Sequence, residues 1–339
     1  MKTIAVEHAV GTVLCHDITR IVPGAEKGPA FRRGHVVREE DIPVLLDIGK
    51  ANLYVYDPAD GFVHEDAAAV RLSRAAAGQG IAFSAPQEGK VTLTAEQDGL
   101  LCIDVDGLME LNSIEDVTFS TIHRHQRVKA GRVVGGTRVI PLVVPEDLMV
   151  SAEGVCAAHR PIIEVKPLRS AKVGVVTTGS EIFHGRIKDG FGPLLRAKFE
   201  DLGSEVIDQV FVSDIVGLTV DAITSLVRQG ADFIAVTGGM SVDPDDQTPA
   251  AIRATGAEVV TYGAPTYPGA MFMLAYLDDV PIVGLPGCVM YYKASIFELV
   301  VPRILAGERL TRRDIVALGH GGLCENCRTC HYPACGFGK

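Results

Sequence analysis

The stretch Asp232–Asp246 concentrates side chains suited to chemistry, reading Asp-Phe-Ile-Ala-Val-Thr-Gly-Gly-Met-Ser-Val-Asp-Pro-Asp-Asp. An apolar run ends in the pair Gly238-Gly239, followed by the hydroxyl of Ser241 and the carboxylates Asp243, Asp245 and Asp246. Glycines leave backbone N–H groups open to an oxyanion, and a hydroxyl can donate to phosphate oxygens. Carboxylates suit a cation or a ring N–H. The same grammar recurs twice. Lys172–Glu181 runs apolar into Thr178-Gly179-Ser180-Glu181, and Pro281–Cys288 runs apolar into Pro286-Gly287-Cys288. Ligands of an open α/β sheet lie beyond the carboxyl ends of its strands, so three such turns imply one pocket along one sheet edge.

A second cluster is made of thiols. Cys324, Cys327, Cys330 and Cys335 fall close together near the end of the sequence, while Cys15, Cys102, Cys156 and Cys288 are scattered. So short a segment has no core of its own, and the spacing Cys-x2-Cys-x2-Cys-x4-Cys reads as a set of metal ligands. Four thiolates suit tetrahedral Zn2+, and Cys-x2-Cys-x2-Cys also opens the iron–sulfur cluster run of bacterial ferredoxins. Both occupants stay open. His123 and His125 read as a surface pair, and Arg32 and Arg33 as solvated cations of the loop Gly28–His35.

The elements that must position these residues follow from periodicity. Residues 172 to about 305 alternate strand and helix: a strand at 173–177, a helix near 193–202, a strand from Glu205, a helix at 216–228 and a strand at 233–237. A helix opened by Thr248-Pro249 follows, and another runs from about 289 to 305. That order is an α/β domain with a parallel-type sheet in three layers. Upstream, Glu39–Gly49 and His64–Ala77 read as helices among short strands such as Asn52–Tyr56. From about 80 to 150, alternating runs such as Lys90–Thr94 and Gly136–Val144 read as β-rich. The expected parts are a mixed α/β segment at 1–80, a β-rich segment at 81–165, the α/β domain at 170–308 and a Cys-rich metal-binding tail at 318–339.

Bulk composition narrows the partners. The 339 residues are 47% hydrophobic and 22% charged with a formal net charge of −10, which disfavours generic polyanion binding, so no nucleic-acid partner is expected. No run approaches the about 18 apolar residues of a membrane span, and no signal-like start is seen, so a cytoplasmic protein without membrane contact is expected.

Four motifs carry a resemblance: Thr178-Gly-Ser-Glu181, Thr237-Gly-Gly-Met-Ser241 followed by Asp246, Tyr267-Pro-Gly269 and Gly284-Leu-Pro-Gly287. In this order they resemble the molybdopterin-binding domain of the molybdopterin molybdotransferases and adenylyltransferases. Weaker echoes of the molybdotransferase branch are Gly11-x-Val-Leu-x-x-Asp17 and Leu46-Asp-Ile-Gly49. The resemblance implies a role in molybdenum cofactor biosynthesis, with molybdopterin or its adenylylated form bound by Thr178, Gly179, Ser180, Gly238, Gly239, Ser241, Asp243, Pro268, Gly269, Pro286 and Gly287. It implies Asp246 and Glu181 as catalytic residues, Mg2+ as an accessory ion and molybdate as the inserted group. A molybdoenzyme client and a homo-oligomer are also implied. The sequence departs from that pattern where Ser180 replaces an aspartate, Ala270-Met271 replaces Lys-Pro and Cys288-Val289 replaces Asn-Pro. A lost carboxylate weakens a divalent-metal site and a lost ammonium weakens oxyanion recruitment. Molybdopterin binding with molybdate transfer is therefore the leading expectation. The alternatives are a non-catalytic cofactor carrier or chaperone and a nucleotide or pyrophosphate hydrolase.

Overall fold

The computed structural model describes residues 2–22, 26–55 and 61–339, so Tyr56 of the expected strand Asn52–Tyr56 lies outside the described residues. The chain divides into two compact units that interleave in sequence. One comprises residues up to Glu96, Ile103–Ile122 and Gly131–Glu164; the other comprises Gln97–Cys102, His123–Ala130 and everything from Val165.

The first unit is mixed α/β. Strands Ile81–Phe83, Lys90–Ala95, Val133–Val139 and Val117–Thr121 form an antiparallel sheet in that spatial order. The helix Glu65–Ala76 buries Ala68, Ala69, Leu72 and Ala76. Two further helices, Val105–Asn112 and Glu146–Ala158, correct the reading of this stretch as strands and turns. The first is capped by Asp104, whose carboxylate accepts from the Gly107 N–H at 3.1 Å. The second opens on Glu146 and Asp147, favourable against the helix dipole, and buries Met149, Ala152 and Cys156 at helical spacing. Arg71 ties it to the helix Glu65–Ala76 through Glu146 at 2.8 Å and Glu153 at 2.8 Å.

The second unit holds a six-stranded sheet: β1 (Lys172–Thr178), β2 (Glu205–Val212), β3 (Phe233–Thr237), β4 (Glu258–Tyr262), β5 (Met273–Leu277) and β6 (Val280–Leu285). The spatial order is β2-β1-β3-β6-β5-β4. The pairs among β2, β1, β3 and β6 are parallel, and β5 and β4 add antiparallel. The alternation of the sequence predicts the parallel part; the β4–β5 pair completes the sheet on one side. Helices cover both faces. On one side α1 (Phe191–Asp201) and α4 (Ile296–Leu305) bury Leu195, Phe199, Phe297 and Ile304 against Val173, Val175, Phe233 and Ala235. On the other, α2 (Val216–Arg228) and α3 (Thr248–Ala254) bury Ile223, Leu226 and Ile252 against Val176, Ile234 and Val236. Alternate residues of each strand thus feed opposite cores, which is why these strands read as continuous apolar runs.

Two helical boundaries differ from expectation. Gln247 holds the N-cap position of α3, one residue before Thr248. The expected helix at 289–305 is two: a turn at Cys288–Tyr291, then α4, restarted by Ser295 and Glu298 in a reciprocal capping box. Among the described residues no helix is long and apolar enough to cross a membrane.

A last helix, α5 (Arg312–Ala317), precedes the cysteine segment and is fastened by a buried guanidinium. Arg303 donates to Glu308 at 2.7 Å and to Asp314 at 2.8 Å, and Asp314 also accepts from the Thr311 N–H and hydroxyl. Burial pushes the Asp314 carboxyl up, but the Thr311 bonds and the Arg303 charge together hold it down at about 2. A depressed carboxyl stabilises the fold above its unfolded value near 3.9 and loses that contribution as pH falls through its folded value. Asp314→Asn is therefore expected to lower stability by about 1–2 kcal/mol at pH 7, allowing for partial exposure. In thermal melts of both proteins the gap should close between about pH 4 and pH 2.

Candidate functional site

The three turns singled out by sequence start from adjacent, registered strand ends. Thr177 of β1 stands opposite Thr237 of β3, and Thr237 opposite Leu285 of β6. The chain passes from β1 to β2 on one side and then to β3 on the other, so the switch point where ligands settle falls between β1 and β3.

Past Thr237 the backbone turns left-handed at Gly238 (φ 86°) and Gly239 (φ 54°). A Cβ on Gly238 would lie 2.1 Å from the Thr178 carbonyl oxygen, and one on Gly239 would lie 3.0 Å from the Thr248 hydroxyl. Position 238 therefore demands glycine, and a side chain at Gly239 would crowd the Thr248 and Thr178 hydroxyls. The Thr248 hydroxyl donates to the Gly238 carbonyl at 2.8 Å and lies 3.1 Å from the Thr178 hydroxyl, which is left to donate to it. The Thr248 N–H donates to the Gly239 carbonyl at 3.2 Å, so the start of α3 holds the turn in place.

In front of this turn lies a cavity of about 610 Å3, within the range of small-molecule sites. Gly238, Gly239, Met240, Ser241 and Asp246 form one wall, Pro268–Met271 a second, and Leu285–Cys288 a third. Phe191, Tyr267 and Tyr292 add aromatic surface. Asp246 is the one charged side chain among the described lining residues. Its carboxylate accepts from the Asp243 N–H at 3.0 Å, and its own N–H donates to the Asp243 carbonyl at 2.9 Å. The Tyr262 hydroxyl points at the carbonyls of Met240 and Ser241, and burial, then the Asp246 charge, raises its pKa. Burial also raises the Cys288 thiol, with the Glu298 charge acting in the same direction. Gly269 (φ 136°) packs so closely that a Cβ there would lie 2.5 Å from Ile296 Cβ. Thr237 and Thr266, whose residues border the glycine turns, have buried hydroxyls without a hydrogen-bond partner.

Of the expected residues, Gly238, Gly239, Ser241, Asp246, Pro268, Gly269, Pro286 and Gly287 line this cavity, and the others lie outside its lining. Thr178 supports the glycine turn from behind. The Ser180 N–H donates to Asp214 at 2.8 Å, and Glu181 is exposed, its side chain set against Gly179. Asp243 is exposed on the loop rim. Sequence reasoning missed the contribution of the cysteine segment. Leu323, Cys324 and Asn326 close the cavity, fixed because the Tyr267 N–H donates to the Gly322 carbonyl at 2.7 Å and the Cys324 N–H to the Tyr267 carbonyl at 2.8 Å. Its one local clue is apolar Leu323 beside Cys324, too small a pattern to assign a strand-like pairing.

The donor set answers the metal expectations differently. Asp246 is the only carboxylate on the cavity wall among the described residues, so they do not form a protein-held Mg2+ site. The four tail cysteines line a common cavity of about 670 Å3. They have not converged: among the described residues no three His, Cys, Asp or Glu side chains are grouped to hold a metal ion.

Fold and site together define a three-layer α/β domain with a glycine-walled cavity at the carboxyl ends of its parallel strands. Residues 174–306 match the family model described as a probable molybdopterin binding domain, and residues 3–57 match that of a domain of unknown function. The resemblance carried by the four motifs thus stands for the α/β domain. The molybdopterin molybdenumtransferase of Staphylococcus aureus (strain COL) is 30% identical over 131 residues, covering 37% of this chain and 31% of the relative. That of Haemophilus influenzae is 29% identical over 211 residues, covering 57% and 49%. The chain therefore spans between about a third and a half of the length of these relatives. Among solved structures, the tungsten cofactor synthesizing protein MoaB of Pyrococcus furiosus aligns with 42% of this chain and 98% of its own at 22% identity and a TM-score of 0.35.

Gly238→Ala should be the most damaging single methyl in this domain. A clash with a strand-end carbonyl and a left-handed φ cannot both relax, so unfolding in urea is expected to show a loss of about 2–4 kcal/mol. Gly287→Ala, where a Cβ meets nothing within 4 Å, should leave the midpoint nearly unchanged.

Proposed function

We propose that the cavity binds molybdopterin or its adenylylated form and that the protein serves molybdenum cofactor biosynthesis. The observation that carries this reading is the Gly238-Gly239 turn, which lines the cavity and is held from behind by Thr178 and Thr248, on a domain that matches the family model. Backbone amides of that turn and the Ser241 hydroxyl would receive the phosphate, where no side-chain cation is offered. Met240, Leu285 and Phe191 give apolar surface for a fused ring system, and Asp246 is suited to accept from a pterin N–H.

Two readings of the activity divide at the charge of the wall. As a transferase, the protein would place molybdate on the dithiolene sulfurs and release AMP from the adenylylated form, with Asp246 and Glu181 as the acidic residues. As a carrier, it would hold the cofactor for a molybdoenzyme client without turnover. Ala270 and Met271 on the cavity wall, with Asp246 as the lone charge among the described lining residues, favour the carrier. A cytoplasmic setting and a homo-oligomer belong to the same proposal, as does a soft metal, Zn2+ or an iron–sulfur cluster, on Cys324, Cys327, Cys330 and Cys335.

Anaerobic calorimetry with molybdopterin tests the pocket. Ser241→Ala and Asp246→Asn are each expected to weaken binding by about tenfold, the worth of one hydrogen bond to a charged group. Full affinity in both variants would remove the pocket from consideration. Incubating the adenylylated form with molybdate then separates the activities: stoichiometric AMP release, reduced in Glu181→Gln, marks the transferase, and retained adenylylated cofactor marks the carrier.

A further inference from the structure

We propose that Cys324, Cys327, Cys330 and Cys335 close around one soft metal centre and that this closure remodels the wall of the pterin cavity, so metal loading sets its affinity. The second half rests on the pterin reading above; the first does not.

Four observations meet here. All four thiols border the same cavity of about 670 Å3, beside Tyr292 and Lys293. A segment with four cysteines and little apolar content gains order from ligation. Cys324 and Cys335 are half-buried against the domain core, whereas Cys327 and Cys330 are exposed, so one pair is anchored and the other is free to approach it. Finally, Tyr292, Leu323, Cys324 and Asn326 border both this cavity and the glycine-walled one.

The unconverged thiols give the coupling its cause. To ligate one centre they must move together, and each gives up its proton to solvent as its sulfur–metal bond forms. Cys324 cannot move alone: its N–H is bonded to the Tyr267 carbonyl, and Gly322 to the Tyr267 N–H. Tyr267 in turn precedes Pro268-Gly269, which is seated closely against Ile296, so displacement of the cysteine segment falls on Tyr267 itself. Drawing in the cysteines therefore acts on Tyr267, Leu323 and Asn326, which all face the pterin cavity. Zinc and an iron–sulfur cluster share the four-thiolate chemistry.

The test uses the full chain, purified anaerobically and stripped of metal by chelation. Titration with Co2+ alone should give thiolate-to-cobalt charge-transfer absorption, lost in the double variant Cys327→Ser/Cys330→Ser, whose positions are exposed. Reconstitution with Fe3+, sulfide and a dithiol reductant should give broad visible absorption if a cluster is the occupant, and none beyond added iron if zinc is. Absence of both absorptions overturns the metal site. Loading should slow amide exchange at residues 266–271 and 322–326 by about fivefold or more, and change molybdopterin affinity by about tenfold. Unchanged exchange, or equal affinity in loaded and stripped protein, overturns the coupling. If molybdopterin binds neither form, the pterin reading falls, while the exchange measurement still decides whether the metal moves the wall.

Discussion

The site depends on one close approach: the backbone of Gly238 against the carbonyl of Thr178, where even a methyl group would sit 2.1 Å from oxygen. Parallel pairing brings Thr177, Thr237 and Leu285 into register, so the turns that follow begin at one level. Sheet register alone would leave those turns free to splay. The left-handed pair Gly238-Gly239, fixed by two threonine hydroxyls from β1 and α3, bends the β3 turn back over its neighbour. With Met240, Ser241 and Asp246 this turn forms one wall of the cavity, and its two glycines keep side chains out of that stretch of backbone.

This constraint explains what was legible in the sequence. Val173, Val175, Phe233 and Ala235 face one core while Val176, Ile234 and Val236 face the other, so buried strands appear as unbroken apolar runs ending in glycine. Those runs and their turns mark the carboxyl ends of β1, β3 and β6. Less legible was which of the three similar turns line the cavity. Thr178-Gly179-Ser180-Glu181 has the grammar of a binding loop, yet Ser180 is bonded to Asp214 and Thr178 serves Gly238 from behind. Local sequence records the ability to turn and donate; which side of the turn meets the cavity is decided by neighbours far along the chain.

The first unit shows the opposite failure. Residues 105–112 and 146–158 carry helices that the reading of 81–165 as β-rich did not include. Met149, Ala152 and Cys156 supply the buried stripe of the second helix, but small residues give it a weak apolar signature. Its stability is shared with a partner helix through Arg71, whose guanidinium reaches Glu146 and Glu153, more than seventy positions along the chain. A single-window pattern does not contain that partner. Propensity yields to tertiary context wherever, as here, a helix is held by charge and small-residue contact.

The charge of the cavity bears most directly on what the protein does. A wall with one carboxylate and no side-chain cation among its described residues can orient a phosphate by amide donors, but it offers little to draw in a free oxyanion such as molybdate. Of the divergent residues, those on the cavity wall are Ala270, Met271 and Cys288, two apolar side chains and a thiol whose pKa is raised by burial. With Cys324 bordering the same space, this part of the wall is apolar and thiol-bearing. On the carrier reading proposed above, such a wall would suit a sulfur-bearing, already assembled guest better than its charged precursors. Ala270, Met271 and Cys288, together with Cys324, would on that reading give the guest an apolar and thiol-bearing seat beside Tyr292.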